Sequence, residues 1–157
     1  MSYVTFYRGD PKNAPRTTMP AHLGSNAILT WDHKLLLERR VDSDSWGLPG
    51  GGVKKKETGR EALARELYEE LGLRIPKNQF KKLAVYGDPG RIAAYQDGSI
   101  WRMVIVVYGL NFDEKPELRI SRESKELRFF TREEIKDIEI PVTHSDIVED
   151  LFLNSKI

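Results

Sequence analysis

The chain contains no cysteine among its 157 residues. Disulfides, thiolate metal sites and cysteine nucleophiles are excluded together, and the absence is compatible with a reducing cytosol. Long apolar runs are also lacking: the longest, Met103 to Leu110, falls far short of the roughly 20 residues that a spanning helix needs. The polar-aromatic stretch Met1 to Asp10 has none of the apolar core of a signal peptide. Excess charge of either sign is missing too. With 25 basic and 24 acidic residues the net charge is +1, so no global field draws the chain to nucleic acid or to an anionic membrane. Neither a nucleic-acid polymer nor a membrane is an expected partner, and the expected compartment is the cytoplasm. His22, His33 and His144 show no metal-ligand spacing and are assigned no role.

What remains is the length and pattern of one ordinary domain, 1–157. A short strand near Tyr3 to Tyr7 leads into an irregular stretch, Gly9 to Pro20, with Pro11, Pro15, Pro20 and Asn13. Asn26 to Trp31 and Lys34 to Arg39 read as a hairpin around Asp32-His33. Val41 to Lys56 reads as loop, and Glu57 or Thr58 opens a helix running to Leu71, with Gly72 as its left-handed cap. Phe80 to Tyr86 is an expected strand, Gly87 to Ser99 a polar loop, and Ile100 to Phe112 the strongest β segment. Leu127 to Phe130 is a further short strand. Thr131 to Glu134 is a capping-box pattern opening a short helix to Ile138, and a last amphipathic helix is expected from Ser145 to Leu153. This order implies an α+β fold, a mixed β-sheet with helices on both faces.

The segment with most chemistry is Arg65-Glu-Leu-Tyr-Glu-Glu-Leu-Gly72. At about 100° per residue, Glu66, Glu69 and Glu70 share an arc of about 100°, beside an apolar arc carrying Leu63, Leu67 and Leu71. Like charges this close repel, and Arg65 relieves part of that by pairing with Glu69 at i,i+4. A hard divalent cation relieves more, because carboxylate oxygens are the ligands Mg²⁺ prefers. Acidic helix faces are more often plain solvated surface. The preceding loop, Trp46-Gly-Leu-Pro-Gly-Gly-Gly52, adds backbone that can approach a ligand closely. Alone it is a weak phosphate signal, without the Lys-Ser/Thr ending of a P-loop.

Gly51, five residues, Glu57, seven residues, then Arg65-Glu66-Leu67-Tyr68-Glu69-Glu70-Leu71-Gly72-Leu73 match every fixed position of the Nudix box. From about Gly24 through Phe130 the chain resembles Nudix hydrolases of the MutT-like and ADP-ribose pyrophosphatase-like kinds. The resemblance implies an α/β/α sandwich and a Mg²⁺-dependent hydrolase, with Mn²⁺ as a substitute, that cleaves a diphosphate linkage by water attack on phosphorus. It implies Glu66, Glu69 and Glu70 as metal ligands, a carbonyl at Gly50 or Gly51 completing the shell, Glu57 supporting the network and Arg65 orienting it. Glu66 is ligand or base. Another glutamate is expected from a loop after the sheet, Glu123 first and Glu126 second. Where relatives often carry an acidic residue and glycine, this chain has Lys54 and Lys56 at variable positions.

The box defines a reaction and leaves the group on the diphosphate open. Pro89, sixteen residues beyond Leu73, resembles a proline of ADP-ribose pyrophosphatases, although the same stretch is a plain turn signature. Nucleoside triphosphates and nucleotide sugars are the other candidate substrates. Trp46, Trp101, Tyr86 and Tyr95 are the candidates for stacking a base. Trp101, within the strongest strand, is read rather as core, and Trp46, in a loop, is the more open case. Arg39 and Arg40 are candidates for a phosphate, and strand alternation allows only one of them to face it. The alternative function is a non-catalytic nucleotide sensor on the same fold; such domains lose box carboxylates, whereas Glu57, Glu66, Glu69 and Glu70 are all present here. A homodimer is an assembly the resemblance allows.

Overall fold

The computed structural model describes residues 4–10, 12 and 15–155. Tyr3, Pro11 and Asn13, named above, lie outside the described residues. The elements in chain order are β1 (Val4–Tyr7), β2 (His22–Trp31), β3 (Lys34–Arg40), β4 (Trp46–Gly47), β5 (Gly50–Gly52) and α1 (Gly59–Leu71). They continue with β6 (Lys81–Tyr86), β7 (Ile92–Tyr95), β8 (Ile100–Phe112), β9 (Ser124–Phe130), α2 (Arg132–Ile135) and α3 (Val142–Val148). A wider helical turn, Glu149–Leu153, extends α3.

The strands run β1-β7-β8-β2-β3-β4, with β5 added to β2, β6 to β8 and β9 to β3. Among the described residues only β2 and β8 pair in parallel, over His22 to Trp31 against Met103 to Phe112. Both faces of this mixed sheet are covered, and alternate residues feed two cores. Ala27, Leu29, Leu36, Val106, Tyr108 and Phe129 pack with Leu63, Leu67 and Leu71 of α1. Ile28, Leu35, Leu37, Ile105, Val107 and Phe130 pack with Ile147, Val148 and Phe152 on the other face. The expected α+β sandwich is therefore the observed one.

Helix α1 begins at Gly59, after the expected start. Thr58 is its N-cap, with a capping box to Glu61, and Gly72 closes it at φ 72°. The Asp32-His33 hairpin forms with both residues at positive φ, 51° and 59°, the geometry a two-residue loop demands of its central pair. Three expectations needed correction. The Gly87 to Ser99 loop contains β7, whose Ile-Ala-Ala-Tyr is too short to stand out among its Gly, Pro and Asp neighbours and is held by β1 and β8 on either side. The Val41 to Lys56 loop contains β4 and β5, whose glycines carry no side-chain signal and pair with β3 and β2. The last helix starts at Val142 rather than Ser145, directly after Pro141. Among the described residues no helix is long and apolar enough to cross a membrane.

Candidate active site

Strand β5 brings the glycine loop against the edge of α1. Gly50, Gly51 and Gly52 pair with Asn26, Ser25 and Gly24. Asn26 Nδ2 donates to the carbonyls of Leu48 (3.1 Å) and Pro49 (3.3 Å), and the Ala27 N–H donates to Pro49 O at 2.9 Å. Gly50 has φ 136°, a backbone form closed to other residues. At Gly51 a Cβ would stand 2.5 Å from Glu66 Cδ and 2.7–2.8 Å from its two oxygens. The absence of a side chain is what lets the Glu66 carboxylate rest on this backbone. Gly51→Ala is therefore expected to displace Glu66 and lower kcat/KM by about 10²-fold, measured by steady-state turnover with the fold checked by circular dichroism.

His144, on α3, holds the same loop from the other face. Its Nδ1 accepts the Leu48 N–H at 3.1 Å, so the imidazole must be neutral there. Burial first, then the charges of Arg40 and Arg91, push its pKa from 6.5 down to about 4. A depressed value in the folded state means stability present above the unfolded value and lost as pH falls from about 6.5 through about 4. NMR titration of the imidazole is expected to give a midpoint near 4. A midpoint near 6.5 would show that the Leu48 contact does not hold the ring neutral.

Arg65 is the hub of the carboxylate edge. Its Nε and Nη2 donate to the two oxygens of Glu57 at 2.7 and 2.9 Å. Nη1 reaches Glu66 at 2.9 Å and Glu69 at 3.2 Å, and Nη2 also donates to Gly52 O at 3.0 Å. Glu57 further accepts the Lys54 N–H at 2.9 Å. The Arg65 hydrogen bond first, and then that N–H, hold the Glu57 carboxyl down at about 2. Arg65 thus ties loop, Glu57 and helix into one unit. Among the described residues no three acidic or imidazole side chains already close on one point as a finished metal shell, because Arg65 draws Glu66 and Glu69 to itself.

Glu70 differs from its neighbours. It is 2% exposed, and neither carboxylate oxygen has a hydrogen-bond partner. It lies against Glu38 and Glu66, and burial first, then Glu38, raise its pKa far above the carboxylate range. Sequence reasoning missed Glu38. The available signal was a glutamate ending an apolar strand run, Leu35-Leu-Leu-Glu38, at a position that alternation places on the α1 face with Leu36 and Arg40. Arg40 Nε and Nη2 each bond Asp42 at 3.0 Å, and Nη1 lies 3.4 Å from Glu38 Oε1.

The other expected residues scatter. Arg39 sits on the face of β3 opposite to Glu38 and pairs with Asp44 at 3.1 Å; alternation turns Arg40, not Arg39, toward the carboxylates. Trp46 is buried, its ring edge-on to Phe130 at 4.8 Å, so core packing replaces the expected open stacking surface. Pro89 is exposed in the turn between β6 and β7, two residues before the buried Arg91, which binds Asp88 and Asp146. Glu123 is exposed and its carbonyl accepts the Val41 N–H at 3.0 Å. Glu126 stands opposite Arg39 in the β3–β9 register and pairs with Arg128 at 3.4 Å. Tyr86 is committed to Asp150 (3.1 Å), whereas Tyr95 is 37% exposed. Trp101 meets His22 edge-on at 5.9 Å, and His22 in turn borders Gly52. A cavity of about 640 Å³, lined by Ile28, Thr30, Leu83, Gly109, Leu151 and Phe152, lies on the α3 face, away from the carboxylates.

The box residues thus stand together as an acidic helix edge seated on a glycine strand, as the resemblance to Nudix hydrolases implies. Comparison with known proteins agrees. The sequence model of the NUDIX domain matches residues 20–151. The nucleoside triphosphatase NudI of Enterobacter sp. (strain 638) is 32% identical over 110 residues, covering 68% of this chain and 76% of that protein. An ADP-ribose pyrophosphatase of Methanocaldococcus jannaschii is 34% identical over 128 residues, covering 80% and 69%. The crystal structure of a MutT protein from Methanosarcina mazei Go1 superposes with TM-score 0.67 at 20% identity, over 90% of this chain and 100% of that one, and shares the fold. The chain belongs to the NUDIX family, among its pyrophosphohydrolases.

Proposed function

We propose that this protein is a cytoplasmic, Mg²⁺-dependent hydrolase of a nucleoside diphosphate derivative, with Mn²⁺ able to replace Mg²⁺. The observation that carries the proposal is Glu70: a buried carboxylate with two unbonded oxygens, beside Glu66, whose own carboxylate rests on the Gly51 backbone. Buried charges are paired or coordinate a metal, and this oxygen-only donor set is the kind a hard divalent cation takes. Glu66, Glu69 and Glu70 would hold it, with the Gly51 carbonyl. When bound, the cation neutralises phosphate charge and lowers the pKa of water.

The protein's own residues supply positioning. Arg65 and Glu57 fix the helix edge to the glycine loop, Asn26 fixes that loop to the sheet, and His144 fixes it to α3. The water that attacks phosphorus passes its proton to a carboxylate, Glu66 on the helix or Glu123 on the loop before β9. Among substrates, ADP-ribose-like compounds come first, supported by Pro89 in the β6–β7 turn and by likeness to the archaeal ADP-ribose pyrophosphatase; nucleotide sugars and nucleoside triphosphates follow. The test is turnover with Mg²⁺ on a panel of ADP-ribose, dinucleoside polyphosphates, nucleotide sugars and nucleoside triphosphates. Release of mononucleotide or phosphate from at least one is expected. Tight binding of one with hydrolysis of none would instead make the protein a sensor.

A further inference from the structure

Glu38 stands outside the box, on β3, yet its carboxylate is the innermost of the cluster. It is 1% exposed. Its Oε1 has only a long contact, 3.4 Å, to Arg40 Nη1, and Oε2 has no partner. Arg40 is turned to Asp42 by two shorter bonds of 3.0 Å. Glu70 lies against Glu38 with both its oxygens unbonded. Three oxygens of these two adjoining carboxylates, buried between β3 and α1, thus lack a donor. Such a pair is held by a cation or by a shared proton, because two ionised carboxylates have nothing to donate to each other.

We propose that Glu38 joins the three helix glutamates in holding the divalent cation, as a ligand contributed by the sheet rather than by the box. The inference rests on the cation-dependent function proposed above. The β3 strand makes the position rigid: Leu37 and Arg39 are paired with Arg128 and Glu126 of β9 on either side of Glu38. A ligand fixed on a strand and ligands fixed on α1 bring the two layers of the fold to one ion. The rival occupant is the shared proton, and it leaves metal affinity independent of Glu38.

The test is Mn²⁺ binding in the absence of substrate, by isothermal calorimetry, together with the melting temperature with and without Mn²⁺. Glu38→Gln is expected to weaken Mn²⁺ binding by about 10–100-fold. Its metal-free melting temperature should be no lower than wild type, since the amide can donate to Glu70, while the rise on adding Mn²⁺ shrinks. Glu38→Asp, which keeps the charge on a shorter stem, serves if the Gln variant does not fold, and is expected to bind Mn²⁺ several-fold more weakly. Glu69→Gln is the control. Binding weakened by Glu69→Gln but unchanged by Glu38 substitutions overturns this inference alone, in favour of the shared proton. Absence of Mn²⁺ binding by the wild-type protein overturns it together with the proposed cation dependence.

Discussion

Replacing Glu70 by Gln is expected to lower kcat/KM by about 10³-fold, about 4 kcal/mol of transition-state stabilisation, while raising the stability of the metal-free protein. The two effects share one cause. Glu70 is enclosed beside Glu38 and Glu66, and burial, then those neighbours, lift its pKa well above 4.5. A carboxyl raised in the folded state favours folding while protonated. Its contribution is complete below the unfolded value near 4.5 and is lost as pH rises toward the folded one. In EDTA at neutral pH folding must therefore take up a proton at this position, at a cost in stability, and the neutral amide removes that cost. Thermal melting in EDTA at several pH values checks the stability half, and steady-state kinetics with Mg²⁺ the other. Glu69→Gln is the informative contrast: Glu69 is half-exposed and bonded to Arg65, so its loss should lower the rate with no gain in stability.

Arg65→Ala is expected to lower both stability and rate. The guanidinium bonds Glu57 through both oxygens, Glu66, Glu69 and Gly52 O. Its removal leaves Glu66 and Glu69 to repel, frees Glu57 from its main partner and unties the loop from α1. A fall in melting temperature of roughly 5 °C or more is expected, with kcat/KM down by about 10²-fold. Arg65→Lys should recover only part of either, because an ammonium cannot reproduce the planar fork that engages Glu57 bidentately. Full recovery by lysine would show that charge alone, and not the fork, holds the site.

How far the sequence reveals this site depends on how local each contact is. The helix edge was legible because Glu66, Glu69 and Glu70 lie within one turn and a half, where helical geometry alone fixes their arc. Glu57 and Gly51 were legible through the spacing of the box. Glu38 was not, since its contact with Glu70 joins β3 to α1 across the sheet-helix packing. Trp46 shows the same limit in reverse: surrounded by Ser, Gly and Pro it reads as loop, but β4 seats it against Phe130. Arg39 and Arg40 could be narrowed to one by alternation, and the choice between them came only from knowing which face meets α1. The fold class followed from the order of elements. Its short strands β4, β5 and β7 did not, because their form is imposed by partners distant in sequence.

The most direct measurement is turnover of the best substrate on the panel by the wild-type protein, first in EDTA and then with Mg²⁺ restored, with products resolved by chromatography. The carboxylate edge predicts no products in EDTA and cleavage of the diphosphate once Mg²⁺ returns. Equal turnover in EDTA would contradict it.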